Sequence, residues 1–228
     1  MVALDDNSFG LLAGYSWREG EQVDSMAAED SLDTRNYERE TALIKFVSDN
    51  RFGHTFRASV LRQEGHALSD LNSMLGAGRY RSTTALEGDD RQRLAVVNLA
   101  YEFGSPESWI DSGVLRGFRE QADIDQYTLD ERALARTPVS INRLFSYDQE
   151  IRGLELNLWK DITAGSLSHR LGVGLEYRDR DTEEYRDGLS TDLASGTQTN
   201  VLLGEVFPLR DFPVSKTTET AAFIEDTI

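Results

Sequence analysis

Three histidines are the side chains of this 228-residue sequence best suited to ligating a metal or a haem iron. His54 and His169 lie at the ends of segments in which apolar and polar residues alternate, on the apolar side, where packing is the expected role. His66 instead opens a long polar stretch over positions 65–91, which indicates a loop. His66 is therefore the histidine that the sequence places nearest to an incoming ligand.

Two clusters of acidic residues are the second candidate for ligand chemistry, because carboxylate oxygens bind Ca²⁺. Their members are Glu19, Glu21, Asp24, Glu29, Asp30 and Asp33 in the first, and Asp179, Asp181, Glu183, Glu184 and Asp187 in the second. Neither has the spacing of a calcium-binding loop, so solvated loop charge is the expected interpretation and no metal site is predicted.

Motifs for catalysis are missing from the sequence. It has no cysteine, no Gly-x-Ser-x-Gly, no His-Glu-x-x-His and no phosphate-binding glycine loop, and Gly172-Val173-Gly174 lacks a third glycine. Its 24 basic and 40 acidic residues give a net charge of −16, which disfavours a nucleic-acid partner. We therefore predict no catalytic residues and no enzymatic activity.

Alternation with period two dominates the chain and indicates β-strands. Between positions 167 and 178, for example, Leu171, Val173 and Leu175 fall on one face and Gly172, Gly174 and Glu176 on the other. The same pattern predicts eight strands, at positions 8–18, 37–50, 54–61, 95–103, 109–122, 153–159, 167–178 and 218–228.

Short and long connections alternate between these strands. The short turns, which contain Gly, Pro, Asn or Asp, are predicted at 49–53, 104–107 and 161–165. The long polar connections are predicted at 19–36, 64–91, 122–144 and 179–217. Every short turn then lies at one end of the strands, as in an antiparallel up-and-down sheet.

The predicted strands are long for a globular protein. The segments have 7–14 residues, and five of the eight have at least 11, against about 5–6 as a rule in globular proteins. A tilted strand needs about 9–11 residues to cross a bilayer. Aromatic residues lie at the loop-side ends (Tyr15, Trp17, Tyr177) and the turn-side ends (Phe103, Trp159), as in the interfacial girdles of membrane barrels. The sequence thus predicts an all-β, antiparallel, up-and-down transmembrane β-barrel. A soluble β-sandwich for binding or adhesion is the alternative.

On these features the sequence resembles the β-barrel of TonB-dependent outer-membrane receptors, and among them the haem and haemoglobin receptors. The likeness is greatest from position 91 to 228. It is carried by Arg93-Leu94, Gln126-Tyr127-Thr128, Glu131-Arg132, Gly153-Leu154-Glu155-Leu156, the run His169-Arg170-Leu171-Gly172-Val173-Gly174-Leu175-Glu176-Tyr177, Thr182-Glu183-Glu184-Tyr185-Arg186-Asp187, Phe207-Pro208-Leu209-Arg210-Asp211-Phe212-Pro213-Val214-Ser215 and Ala221-Ala222-Phe223-Ile224-Glu225-Asp226.

The resemblance implies a barrel of about 22 strands around a plug domain, of which residues 1–228 would be an internal fragment of about eight strands. It implies the outer membrane of a Gram-negative bacterium, with lipid and lipopolysaccharide around the wall. It also implies energy coupling to the TonB–ExbB–ExbD system through the plug.

The implied cargo is haem, free or taken from haemoglobin, and a siderophore receptor of the same family is the alternative. Haem would be cargo and not a covalently bound cofactor. His66 would then be the candidate haem contact, although the Phe-Arg-Ala-Pro and Asn-Pro-Asn-Leu boxes that flank the family's ligating histidine are not found. Polar residues on the other face of the strands would line the lumen, namely Arg18, Thr41, Lys45, Arg57, Ser59, Glu155, Arg170, Glu176 and Arg178.

Overall fold

The computed structural model of the chain describes residues 2–6, 8–21, 32–50, 53–105, 108–202 and 204–228. Most of them form one antiparallel sheet whose strands lie side by side in sequence order. The strands in the described residues are β1 (Val2–Asp6), β2 (Phe9–Gly20), β3 (Thr34–Asn50), β4 (His54–Asp70), β5 (Ala85–Gly104), β6 (Ser112–Arg132), β7 (Val139–Ala164), β8 (Leu167–Asp192), β9 (Gln198–Thr199), β10 (Val201–Leu202), β11 (Glu205–Val206) and β12 (Ser215–Thr227).

Each strand from β1 to β8 pairs with the next one, and β12 continues the sheet beside β8. The register is constant along each pair. Between β4 and β5 it runs from His54 opposite Phe103 to Asp70 opposite Glu87 without a bulge. The short β9 pairs with β8, while β10 and β11 form a separate two-stranded sheet. The predicted all-β, antiparallel, up-and-down arrangement is confirmed.

The strands are longer than the alternation predicted, and the long connections are correspondingly shorter. β7 and β8 have 26 residues each. The predicted connections at 64–91, 122–144 and 179–217 contract to 71–84, 133–138 and 193–214. A further strand, β1, precedes the first predicted one. Alternation could not reveal the extensions, because both faces are polar there while the backbone ladder continues.

The sheet has one apolar and one polar face. Directly opposite residues of an antiparallel pair share a face, and neighbours along a strand alternate. The register places most of the exposed large apolar residues of the strands on the same side, which we call the apolar face. Its exposed large side chains include Phe9, Tyr15, Trp17, Ile44, Phe46, Phe56, Val60, Val97, Leu99, Leu115, Leu154, Ile162, Leu167, Val173, Leu175, Tyr177 and Ile224.

The other side, the polar face, is concave. A cavity of about 850 Å³ is lined by both Gly10 of β2 and Glu155 of β7, although these strands lie five positions apart in the sheet. All nine residues predicted to share the lumen face do lie on this side by register. Ion pairs join neighbouring strands there, such as Arg57 Nε with Glu102 Oε1 at 3.0 Å.

The two ends of the sheet differ. The turn end holds the connections from β3 to β4, from β5 to β6 and from β7 to β8, and the loop end holds the connections 71–84, 133–138 and 193–214. The predicted difference in length fails at 133–138, which is shorter than the connection from β5 to β6. At the turn end Gly53 has a φ of +77°, and a Cβ there would lie 2.6 Å from the Gly104 carbonyl oxygen, so glycine is required. The described residues include no helix that is long and apolar enough to cross a membrane.

A lysine and an aspartate hold the turn between β5 and β6. Lys160 Nζ donates hydrogen bonds to Asp111 Oδ1 (2.7 Å) and to the Ser108 carbonyl oxygen (2.9 Å), and Asp161 N donates to Asp111 Oδ2 (2.7 Å). The bonds from Lys160 and from the Asp161 backbone lower the pKa of Asp111 below its ordinary value of 3.8. A carboxylate with a depressed pKa stabilises the fold above its unfolded pKa, and that stabilisation is lost as the pH falls through the folded value.

We expect Lys160→Met to lower the free energy of unfolding at pH 7 and to do so by less near pH 2, because protonation of Asp111 as the pH falls removes the charge that Lys160 stabilises. Denaturant titrations of both proteins in detergent at the two pH values measure this. A destabilisation of equal size at both pH values would show that Lys160 acts through packing and not through Asp111.

Candidate functional site

The connections 71–84 and 193–214 fold over the polar face at the loop end, and the buried side chains of the described residues lie there. The four buried hydrophobic ones are Tyr80, Leu86, Leu202 and Phe207. The apolar face contributes none of them. The sheet therefore places its one small core where two connections meet β5 to β8.

A fully buried carboxylate anchors the first connection. Asp130 of β6 is 0% exposed. Thr83 Oγ1 donates to its Oδ1 (2.9 Å), and Arg132 donates to its Oδ2 through Nε (3.0 Å) and Nη2 (2.7 Å). Arg143 Nη2 of β7 lies 3.6 Å from the same oxygen. One aspartate thus joins the connection 71–84 to two strands.

The second connection is held against β8. Arg186 and Leu209 exchange two backbone hydrogen bonds of 2.8 and 2.7 Å, and the Arg186 guanidinium forms an ion pair with Asp211. Leu202 and Phe207 cover Gly188, where a Cβ would lie 2.5 Å from Leu202 Cδ1 and 3.2 Å from Phe207 Cγ. The missing side chain of Gly188 is what allows this connection to dock.

We expect Gly188→Ala to loosen the connection 193–214, because overpacking of this kind costs about 1–3 kcal/mol. The measurement is the rate of limited proteolysis within 193–214, which should rise several-fold. Gly14→Ala is the matched control, since a Cβ there meets nothing within 4 Å. Equal protease resistance of the two variants would argue against docking through Gly188.

A cavity of about 540 Å³ lies between these connections and the polar face of β5 to β8, and we call it the loop-end cavity. Its size falls within the range of small-molecule sites, about 300–1,000 Å³. Tyr80 and Phe207 supply apolar wall, and Arg143 and Glu184 reach it from β7 and β8.

Glu184 is the unusual member of the loop-end cavity. The residue is 5% exposed, and its buried Oε2 has no hydrogen-bond partner among the described residues. The buried Nε of Arg143 likewise lacks one there. Beside Glu184, Gln149 Nε2 donates to Tyr147 Oη (2.9 Å) and to Thr182 Oγ1 (3.3 Å). Oε2 therefore remains an unfilled acceptor beside a polar network that is already satisfied.

Asp90 of β5 adds a second carboxyl to the lining of the loop-end cavity. Burial raises the pKa of Asp90 above its ordinary value; Arg35 opposes this shift and Asp89 reinforces it. Burial thus disfavours the charged form of Asp90.

The three histidines all lie on the apolar side of the sheet, away from the loop-end cavity. His66 is not in a loop, as its polar surroundings suggested, but inside β4 opposite Arg91, because the ladder of β4 and β5 continues beyond the apolar band. Its Nε2 donates to Asp89 Oδ1 at 2.7 Å. Burial raises the pKa of Asp89, but the hydrogen bonds from His66 and Arg91 outweigh it and lower the pKa overall. A haem contact at His66 stays a prediction.

The other two histidines have partners at the turn end. His54 Nδ1 lies 2.7 Å from Tyr101 Oη, and its ring stacks on that of Tyr101 with centroids 5.8 Å apart. His169 Nδ1 donates to Asp226 Oδ2 at 2.9 Å. Both side chains therefore contact a residue of the neighbouring strand.

The acidic clusters are arranged differently from the prediction. The members of the second cluster lie within β8 and not in a loop. Asp179, Asp181, Glu183 and Asp187 share the apolar side of the sheet, and Glu184 alone lies on the polar face. Of the first cluster, Asp24, Glu29 and Asp30 fall outside the described residues. Asp33 accepts hydrogen bonds from Ser73 N and Oγ, both at 2.8 Å. In the described ranges no group of three or more His, Asp or Glu side chains is placed to hold a metal ion.

Sequence reasoning missed Asp130 and Arg143 and assigned Glu184 to solvated loop charge. Asp130 contacts Thr83, which is 47 residues away, and a single sequence carries no signal for that pairing. The chain matches none of the known protein families and none of the curated proteins with which it was compared.

Proposed function

We propose that this chain forms part of the wall of a transmembrane β-barrel in the outer membrane of a Gram-negative bacterium. One observation carries the proposal: the apolar face is continuous across the sheet and uncovered, with Leu99 58% and Ile44 53% exposed. Soluble monomers rarely expose apolar patches larger than a few hundred Å². A bilayer is the surrounding that makes such a face stable.

The height of the apolar face supports a bilayer. On β5 it extends from Ala95 to Phe103 and on β8 from Leu167 to Tyr177, close to the 9–11 residues that a tilted strand needs. Above it, towards the loop end, the same side becomes charged. Arg119 Nε pairs there with Glu150 Oε1 at 2.7 Å. A charged belt directly beyond an apolar band suits the lipopolysaccharide headgroup region.

Aromatic residues border the apolar band at both levels. At the turn end the rings of Phe56 and Tyr101 stack with centroids 4.7 Å apart, and Phe103 lies beside them. Tyr15 and Trp17 border the band on the opposite side and are 63% and 53% exposed. Amphipathic rings in two belts are typical of outer-membrane barrels.

The barrel would be larger than the strands described. In the described sheet β1 and β12 each pair on one side alone. Unpaired backbone groups are not tolerated in lipid, so further strands would have to continue the wall. A β-sandwich would instead need a second sheet packed against the apolar face, and the described residues supply only the small β10–β11 pair.

We further propose that the barrel is a TonB-dependent receptor for an iron carrier, with haem as the cargo that the resemblance favours and a siderophore as the alternative. The concave polar face and the loop-end cavity provide a route for a polar cargo. The three histidines lie on the other side of the sheet, so axial haem ligands along this route would come from elsewhere in the receptor, and a haem contact at His66 would lie outside the route.

Uptake of radioactive iron in iron-starved cells tests this function. Cells that produce the protein are expected to accumulate haem-bound or siderophore-bound ⁵⁵Fe, and deletion of its gene or of the TonB system should abolish the difference. Uptake that is independent of TonB, or recovery of the protein in the soluble fraction, would overturn the proposal.

A further inference from the structure

We propose that the loop-end cavity binds a small organic cation, an amine or a guanidine, through Glu184. The inference deepens the proposed function. It rests on that function in one point, namely that the loop end of the sheet is the end exposed to ligands. The central observation is a buried carboxylate. Glu184 is 5% exposed, and its Oε2 has no hydrogen-bond partner among the described residues.

An unpaired buried carboxylate oxygen is costly. Leaving a buried polar group unsatisfied is unfavourable, and more so when the group is charged. A cationic N–H donor would satisfy Oε2 and compensate its charge together, through a charge-assisted hydrogen bond. The same donor would lower the cost of ionising Asp90, whose pKa burial raises.

The carboxylates that lack an arginine partner favour a cation. On the cavity side of the sheet the lining includes Asp90, Glu184 and Asp211 together with three arginines. The arginines are already engaged: Arg186 with Asp211, Arg143 with Asp130, and Arg79 with the Tyr80 hydroxyl at 2.6 Å. Asp90 and Glu184 have no ion pair among the described residues, so a cationic ligand would meet two carboxylates that have no arginine partner.

The walls favour an organic cation over a metal ion. No group of three or more acidic or histidine side chains in the described residues is placed to hold a metal. The buried rings of Tyr80 and Phe207 instead offer apolar surface, and aromatic rings attract organic cations. Arg143 Nε supplies an additional unused donor, which suits a ligand that carries a carbonyl or hydroxyl beside its charge.

L-Argininamide combines a guanidinium, an ammonium and an amide carbonyl, and serves as the probe. Its binding to the protein in detergent micelles is measured by isothermal titration calorimetry. We expect saturable binding by the wild type. Glu184→Gln should weaken the affinity by about tenfold or more, since a hydrogen bond to a charged group contributes about 1.5–3 kcal/mol.

Glu183→Gln is the matched control, because Glu183 is the adjacent residue on the opposite face and pairs with Arg210 at 2.7 Å. It removes the same charge and should change the affinity less than about twofold. Asp90→Asn provides a second test from another strand and should also weaken binding. If Glu184→Gln does not fold, the effect of Asp90→Asn on the affinity tests the proposed site.

Wild-type protein that does not bind L-argininamide would overturn the inference, as would equal weakening by Glu183→Gln and the cavity variants. The outcome is separable from that of the proposed function. Membrane-inserted, TonB-dependent protein without binding refutes the cation site alone, whereas saturable binding by a soluble protein refutes the barrel alone.

Discussion

Asp130→Asn is expected to lower the free energy of unfolding by about 3–5 kcal/mol, the cost typical of breaking a buried ion pair by removing one partner. The amide keeps the shape of the carboxylate but leaves Arg132 and Arg143 without their shared negative charge. Both guanidinium groups would then be held near a neutral buried group, with poor access to water.

Denaturant unfolding from detergent or lipid measures the change, and proteolysis within 71–84 should become faster because Thr83 loses its anchor. Asp125→Asn is the control. It lies on the same strand, but on the apolar side, and pairs with Arg93 at 3.3 Å near the surface. Exposed pairs contribute about 0–1 kcal/mol, so equal losses in the two variants would refute the anchoring role of Asp130.

Leu99→Arg is expected to destabilise the protein in a bilayer by about 2–4 kcal/mol, the cost of arginine near the bilayer midplane on the lipid side of a barrel. Leu99 lies at the middle of the apolar face between Val97 and Tyr101. The neighbouring variant Asn98→Arg places the same side chain on the polar face, and it should be tolerated within about 0.5 kcal/mol.

The pair of variants is compared by the folded fraction recovered in outer membranes and by unfolding from phosphatidylcholine vesicles. If the protein were soluble, Leu99→Arg would not impair folding more than Asn98→Arg and would raise the solubility, because it places a charge on an exposed apolar patch. Equal recovery of the two variants from membranes would therefore remove the apolar face as evidence for a bilayer.

The sequence predicts those strand segments that carry the apolar face, because only there do apolar and polar residues alternate. Between Leu167 and Tyr177 every second side chain lies on the apolar side, so the sequence itself alternates. That alternation predicts both the strand and the face on which each side chain lies. Beyond Arg178 the residues on both sides of the strand are polar, so the sequence shows no alternation although the strand continues to Asp192. Composition alone therefore predicts a loop there.

The candidate site could be predicted only in outline. Glu184 was recognised as acidic, but its burial depends on the connection 193–214, which crosses back over the polar face near Phe207. Likewise the position of His66 depends on pairing with Arg91 and not on local composition. To predict a site formed by residues distant in sequence, one must know which connection covers which strand.

The strictly sequential order of β1 to β8 has a consequence for assembly. Each of these strands pairs with the strand made just before it, so every step closes only the loop between neighbours and loses little chain entropy. The wall can therefore grow by one hairpin at a time, with each finished strand serving as the template for the next. The step to β12 is the exception among the described strands, since β9, β10 and β11 intervene. The slow step of assembly is thus expected where the cavity-forming connection docks.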